Sequence, residues 1–265
     1  MEERQSRSEE TRDARKVYLD LLAELDMTKH FGGLEATDEL VELCHIDGSK
    51  YVLDAGCGVG MTPCYIAKKY GCKVVGVDIH ERMIGRAEER AEREGVADRV
   101  EFRVADVRVL PFEDALFDVV IGESVVAFVE DKQRAIDECV RVTRPGGYVG
   151  LSEATWTKEP SPELLTCLSR ALGGSLQVLD AGGWRRLVEE SGLRDIVART
   201  HEITVRSEAV NRFRRMGLKH IVRVWCRTLS LLTAKPAYRD FLKEVLSEPK
   251  ELIEYWAYGT YVGRK

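Results

Sequence analysis

Apolar residues recur at helical spacing at Val17, Leu21, Leu22 and Leu25 and predict an amphipathic helix. KHFGGLEAT follows, where Gly32 and Gly33 mark a break, and Thr37 is expected to cap a short helix, TDELVELCHI. From Tyr51 the texture changes. YVLDAG is a short apolar run ending in glycine, as in a buried parallel strand. MTPCYIAKKY reads as a helix, KVVGVD (Lys73 to Asp78) as a second strand, and ERMIGRAEERAERE as a charged helix with Met83, Ile84, Ala87 and Ala91 on one face. Strands three to five are VEFRVAD (Val100 to Asp106), FDVVIGE (Phe117 to Glu123) and YVGLSEA (Tyr148 to Ala154). Between the last two lies the helix DKQRAIDECVRVT, stopped by Pro145-Gly146-Gly147. A helix over Gly183 to Ser191 leads to a sixth strand, DIVARTHEITV. A mostly helical pattern fills Ser207 to Leu252, and YWAYGTYVGRK is the seventh strand.

Alternating strand and helix at short spacing predicts an α/β fold, a mostly parallel sheet with helices on both faces. The expected organisation is a helical lid over residues 1–48, a core over 49–205 and 253–265, and a helical cap inserted over 206–252.

Composition narrows the class. At 265 residues and 44% apolar, the chain can bury its own core without disulfides or metals. A net charge of −5 argues against a global nucleic-acid footprint. The seven cysteines are odd in number and form no Cys-x-x-Cys pair, which argues against a metal site and suits a reducing cytoplasm. No apolar run approaches a membrane span, and the charged N-terminus has no signal-peptide core.

The candidate chemistry centres on Asp54-Ala55-Gly56-Cys57-Gly58-Val59-Gly60, between the first strand and its helix. Alternate glycines allow a tight turn and the close approach of a ligand. The spacing is Gly-x-Gly-x-Gly, not the Gly-x-Gly-x-x-Gly of dinucleotide sites. Asp54 just before it repels a pyrophosphate but suits a cationic amino-acid portion of a ligand. Asp78, 24 residues on, ends the second strand, where a carboxylate can accept from both ribose hydroxyls. Asp106, followed by Val107, ends the third and can address an adenine edge. All three lie where ligands bind in open α/β sheets.

DAGCGVG, VVGVD, VADV, FDVV and RPGGYV together resemble the successive motifs of class I S-adenosylmethionine-dependent methyltransferases. The likeness runs from Tyr51 to Ala154, more weakly through the final YVGRK, and is greatest to the small-molecule branch of ubiquinone, menaquinone and sterol methyltransferases. It implies a Rossmann-like seven-stranded sheet of order 3-2-1-4-5-7-6, with strand seven antiparallel. It implies that Asp54, Gly56 and Gly58 hold the methionine portion, Asp78 the ribose, and Asp106 with Val107 the adenine. The implied pocket also takes in Tyr18, Cys57, Ile79, Met83, Ala105 and Glu123. Cys57 there reads as a small buried residue rather than a nucleophile.

Methyl transfer needs position and desolvation, and a base only for some acceptors. Glu123, at the end of strand four, is the candidate base, with a role in ordering the lid as its alternative. His30 is a second candidate, reaching over from the lid. Strand four lacks the Asn/Asp-Pro-Pro-aromatic turn common in nucleobase amino-methyltransferases, which weakens a nucleic-acid assignment. The segment from Arg206 to Leu232 interleaves basic residues with apolar ones. Its Phe213, His220 and Trp225 are candidate substrate-binding residues, and its cations suit an anionic acceptor or a lipid surface. The expected function is methyl transfer to a small apolar or amphipathic acceptor. A dinucleotide-dependent oxidoreductase and a non-catalytic S-adenosylmethionine-binding regulator remain as alternatives.

Overall fold

In the computed structural model, β1 (Tyr51–Ala55), β2 (Lys73–Asp78), β3 (Val100–Val104) and β4 (Phe117–Glu123) are parallel, and β5 (Thr143–Trp156) extends them. The structure describes residues 17, 19–26, 30–171, 176–204, 228, 230, 233, 239 and 254–265. The strand β8 (Trp256–Arg264) runs antiparallel between β5 and β7 (Arg194–Glu202), giving the order β3-β2-β1-β4-β5-β8-β7. This is the expected order, with one strand more than expected. The two-residue β6 (Leu179–Asp180) pairs with the end of β5 at Thr155 and Trp156, and is too short to leave an alternating pattern.

Both faces of the sheet are covered, which is why its strands read as continuous apolar runs. Leu53, Val75 and Val120 point into one cluster, with Trp184 and Tyr261. Val52, Val74 and Ile121 point into the other, with Leu40, Ile66 and Ala87. The helices α2 (Met61–Tyr70), α3 (Glu81–Glu94), α4 (Lys132–Val142) and α6 (Ala181–Glu190) match expectation to within a few residues. The helix α5 (Pro162–Ala171) has no counterpart in the sequence reading. The helix α4 ends before Pro145, because β5 already begins at Thr143, and the Pro-Gly-Gly run lies inside an irregular stretch of β4–β5 pairing.

One difference matters for the site. The helix α1 spans Gly33–Leu43, with Gly32 at its N-cap in a left-handed conformation (φ 76°). Glycine supplies that conformation without a Cβ penalty, so the helix starts earlier than Thr37. Thr37 is therefore an interior, fully buried residue and not the cap.

The predicted lid is anchored to the core in two places. Asp20 and Glu24, in the helical stretch 19–24, pair with Arg82 at 2.8 and 3.1 Å, and Asp26 pairs with Arg90 and Arg93 at 2.7 and 3.1 Å. On the other side Glu39 of α1 accepts from Thr260, His201 and Arg199 at 2.7, 2.8 and 3.0 Å. The predicted cap, apart from four isolated positions, lies outside the described residues, and so do Phe213, His220 and Trp225.

Candidate active site

The turn after β1 is locked to β2 before any ligand is considered. The backbone N–H groups of Gly56 and Cys57 both donate to the Val77 carbonyl, at 2.7 and 2.9 Å. Gly56, Gly58 and Gly60 have φ of 92°, 52° and 75°, the left-handed region that glycine tolerates. At Gly56 the backbone is closely flanked, since a Cβ there would stand 2.1 Å from Val125 Cγ2. Asp78 completes the turn by accepting from Gly58 N at 3.0 Å and His80 N at 2.9 Å.

Three carboxylates meet here. Asp54 is 2% exposed, and none of the described residues donates a hydrogen bond to its carboxylate. Burial pushes its pKa well up, and the charges of Glu123 and Asp78 add to the effect. Glu123 is also buried. Its Oε1 accepts from Thr37 Oγ1 at 2.9 Å and its Oε2 from Thr62 Oγ1 at 2.5 Å. His30 Nε2 lies 3.9 Å from Glu123 Oε1 and 3.1 Å from the Gly33 carbonyl oxygen. So the fold brings together Asp54, Asp78, Glu123 and His30, and joins α1 to α2 through a single glutamate.

The adenine-side residues are more mixed. Ala105 N donates to the Asp78 carbonyl at 3.0 Å, and Ala105 and Val107 are both buried. Asp106 is held by Arg108, whose Nη2 donates to Oδ2 at 2.6 Å, and this guanidinium lowers its pKa. Ile79, beside Asp78, is 56% exposed, an apolar surface open to a ring. Met83 instead is buried with Val59 and Ala23 against Leu19 and Leu22, so in this structure it seats the N-terminal helix on the turn. Cys57 is buried too, and burial raises its thiol pKa well above the usual value, the opposite of an activated nucleophile. Tyr18 lies outside the described residues.

Residues 53–151 match the methyltransferase domain family. An uncharacterized protein of Haemophilus influenzae is 32% identical over 178 residues, covering 66% of this chain and 71% of its own. The chain belongs to the class I S-adenosylmethionine-dependent methyltransferases. Phosphoethanolamine N-methyltransferase 1 of Arabidopsis thaliana is 34% identical over 168 residues, covering 63% of this chain. This methyltransferase spans about a third of that plant enzyme, 33% of its length. Among solved structures, the [4+2]-cyclase SpnF superposes with a TM-score of 0.73 at 18% identity, covering 94% of this chain and 92% of its own. Phosphoethanolamine N-methyltransferase 2 of Haemonchus contortus, in complex with phosphomonomethylethanolamine and S-adenosylhomocysteine, does so with 0.69 at 19%, covering 93% and 57%. At these identities the two structures bear on the fold.

The methyltransferase is thus a transferase whose cofactor is S-adenosylmethionine, and its residues fit that group. A buried Asp54 with no donor among the described residues calls for a cation, and the ligand carries an ammonium and a sulfonium. Two residues of this site escaped the sequence reading, Thr37 and Thr62. Neither stands in a recognisable motif; each matters only because it faces Glu123. Asp78 holds the turn through Gly58 N and His80 N, and with the ribose role expected from the sequence, Asp78→Ala should weaken S-adenosylhomocysteine binding roughly ten- to a hundredfold, at ~1.5–3 kcal/mol for a charged hydrogen bond. Calorimetry showing unchanged affinity would remove Asp78 from the ribose site.

Proposed function

We propose that this methyltransferase acts on a small apolar or amphipathic acceptor by in-line displacement, with Asp54, Gly56 and Gly58 holding the methionine portion, Asp78 the ribose, and Asp106 with Val107 the adenine. The observation that carries the reading is the trio of carboxylates around one glycine turn, Asp54 and Glu123 buried and Asp78 half-buried, a cradle suited to a cationic ligand. The cofactor supplies an electrophilic methyl group; the chain's part is to hold, orient and desolvate.

Glu123 and His30 stand on the acceptor side in this reading. Both Glu123 oxygens already accept a hydroxyl hydrogen bond, which fixes the carboxylate's direction and leaves one lone pair on each oxygen for an acceptor's proton. His30 Nε2 donates to the Gly33 carbonyl at 3.1 Å, which fixes the ring beside Glu123. Mass spectrometry of ligands carried through purification, followed by transfer of labelled methyl from S-adenosylmethionine to candidate acceptors, tests the assignment. Binding of the cofactor without transfer to any acceptor class would favour a regulator instead.

From its sequence we assign acceptor binding to the segment 206–252, with Phe213, His220 and Trp225 as candidate contacts and the basic residues from Arg206 to Arg227 suited to an anionic group or a lipid surface. Phe213→Ala with Trp225→Ala should raise KM for the acceptor several-fold while S-adenosylhomocysteine affinity holds. A fall in melting temperature with KM unchanged would mean that both merely pack. No helix among the described residues is long and apolar enough to cross a membrane. A cytoplasmic setting is supported by the six described cysteines, all unpaired.

A further inference from the structure

We propose that Glu153, on β5, is a positioning residue for the cofactor turn, its buried carboxylate fixing the segment after β4 and, through Val125, the wall against Gly56. The proposal rests on the methyltransferase reading above. Glu153 has no exposed surface. Its Oε1 accepts from Val125 N at 3.0 Å and Val126 N at 2.8 Å, and its Oε2 from Ala127 N at 3.2 Å. These three consecutive N–H groups open the 3-10 turn Val126–Phe128, which is too short to satisfy them internally. Just before them Ser124 adopts φ 56°, rare for a residue with a side chain, and its N–H is tied to the Ser152 carbonyl at 2.8 Å. The branched side chain of Val125 then lies against Gly56 so closely that a Cβ there would be 2.1 Å from Cγ2. One carboxylate thus holds the backbone whose side chain flanks the cofactor turn. Displacements of about an ångström around a reacting centre cost on the order of a hundredfold in rate, so such a clamp has functional weight.

Two ionisable groups face Glu153. Lys132 of α4 donates to the Val129 carbonyl at 2.7 Å and acts on Glu153 as a nearby positive charge. Tyr261 of β8 hydrogen-bonds Thr155, and burial pushes its hydroxyl up to about 12, outside the neutral range. Burial outweighs both Lys132 and the three N–H groups and raises the Glu153 carboxyl to about 7. Below that pH one oxygen carries a proton and turns a donor toward an N–H, so the clamp is complete only above it. Stability runs the other way. An acid whose folded pKa lies above its ordinary value of 4.5 is favoured by the fold in its protonated form. Its stabilising contribution is full at low pH and is lost as pH rises from about 4.5 through about 7. A purely structural glutamate would let binding follow stability; a clamp on the turn makes the two diverge.

The test is calorimetry with S-adenosylhomocysteine across neutral pH, alongside melting temperature. Wild-type affinity is expected to rise several-fold from about pH 6 to about pH 8, with no matching rise in melting temperature. Glu153→Gln places an amide donor against an N–H; it should bind roughly tenfold more weakly and lose that slope, which separates Glu153 from Asp54. Val125→Ala leaves every hydrogen bond of Glu153 in place and should reproduce the weakening. A flat wild-type profile, a Glu153→Gln profile parallel to wild type, or unaltered binding by Val125→Ala would each overturn the proposal. If Glu153→Gln does not fold, the wild-type profile and Val125→Ala decide alone. Wild-type protein that binds no S-adenosylhomocysteine at any pH would overturn the methyltransferase reading itself, and this proposal with it.

Discussion

Gly56→Ala is expected to abolish measurable S-adenosylhomocysteine binding. Gly56 has φ 92°, where a side chain costs ~1–2 kcal/mol. The new Cβ would meet Val125 Cγ2 at 2.1 Å and Cγ1 at 2.7 Å, and relieving such an overlap costs a further ~1–3 kcal/mol. The turn cannot simply move aside, because Gly56 N and Cys57 N are both bound to the Val77 carbonyl at 2.7 and 2.9 Å. Displacing it by that much corresponds to a loss of roughly a hundredfold or more in affinity. Gly85→Ala in α3 is the control. Nothing lies within 4 Å of its would-be Cβ, so binding should hold and the helix should gain a little stability. Normal binding by Gly56→Ala would mean that the ligand does not sit on this turn.

Glu123→Gln should lower turnover by roughly 10²–10⁴ with cofactor affinity held, if Glu123 takes a proton from the acceptor. Gln keeps the shape, but its amide nitrogen would face either the Thr37 or the Thr62 hydroxyl, and each can rotate to accept instead. The variant therefore removes charge and basicity while sparing the link between α1 and α2. If Glu123 only orients the acceptor, the loss is smaller and appears partly in KM. An unchanged rate with the true acceptor excludes both roles. Thr37→Val with Thr62→Val makes the complementary change, removing both donors while Glu123 stays, and a loss of activity there would locate the effect in the carboxylate's direction.

The fold was legible because its signals are local. The strands β1 and β2 declare themselves by apolar runs closed by glycine or aspartate, and α3 by one buried face of Met83, Ile84, Ala87 and Ala91. Of the misreadings, one was local in origin and one was not. Thr37 is a plausible cap in sequence, yet Gly32 lets α1 begin earlier, and the turn so gained carries Thr37 from the helix end to its buried face. The strand β6 is two residues long and exists only because the end of β5 is there to pair with it.

Sequence alone determined the alternation of strand and helix from β1 to β5, the glycine turn with its φ-permissive residues, and the acids Asp54, Asp78 and Asp106 at or just beyond strand ends. Each depends on residues within a few positions of one another, where periodicity and glycine content act directly. Only the tertiary structure decided what those acids meet. Thr37 and Glu123 are 86 positions apart, Thr62 and Glu123 are 61, and Glu153 reaches back 26 to 28 positions to its three N–H donors. Such contacts follow from strand register and from where a helix begins. A one-residue slip in strand register turns a side chain to the opposite face, and in a helix it rotates the side chain by about 100°, so no local pattern can specify these contacts.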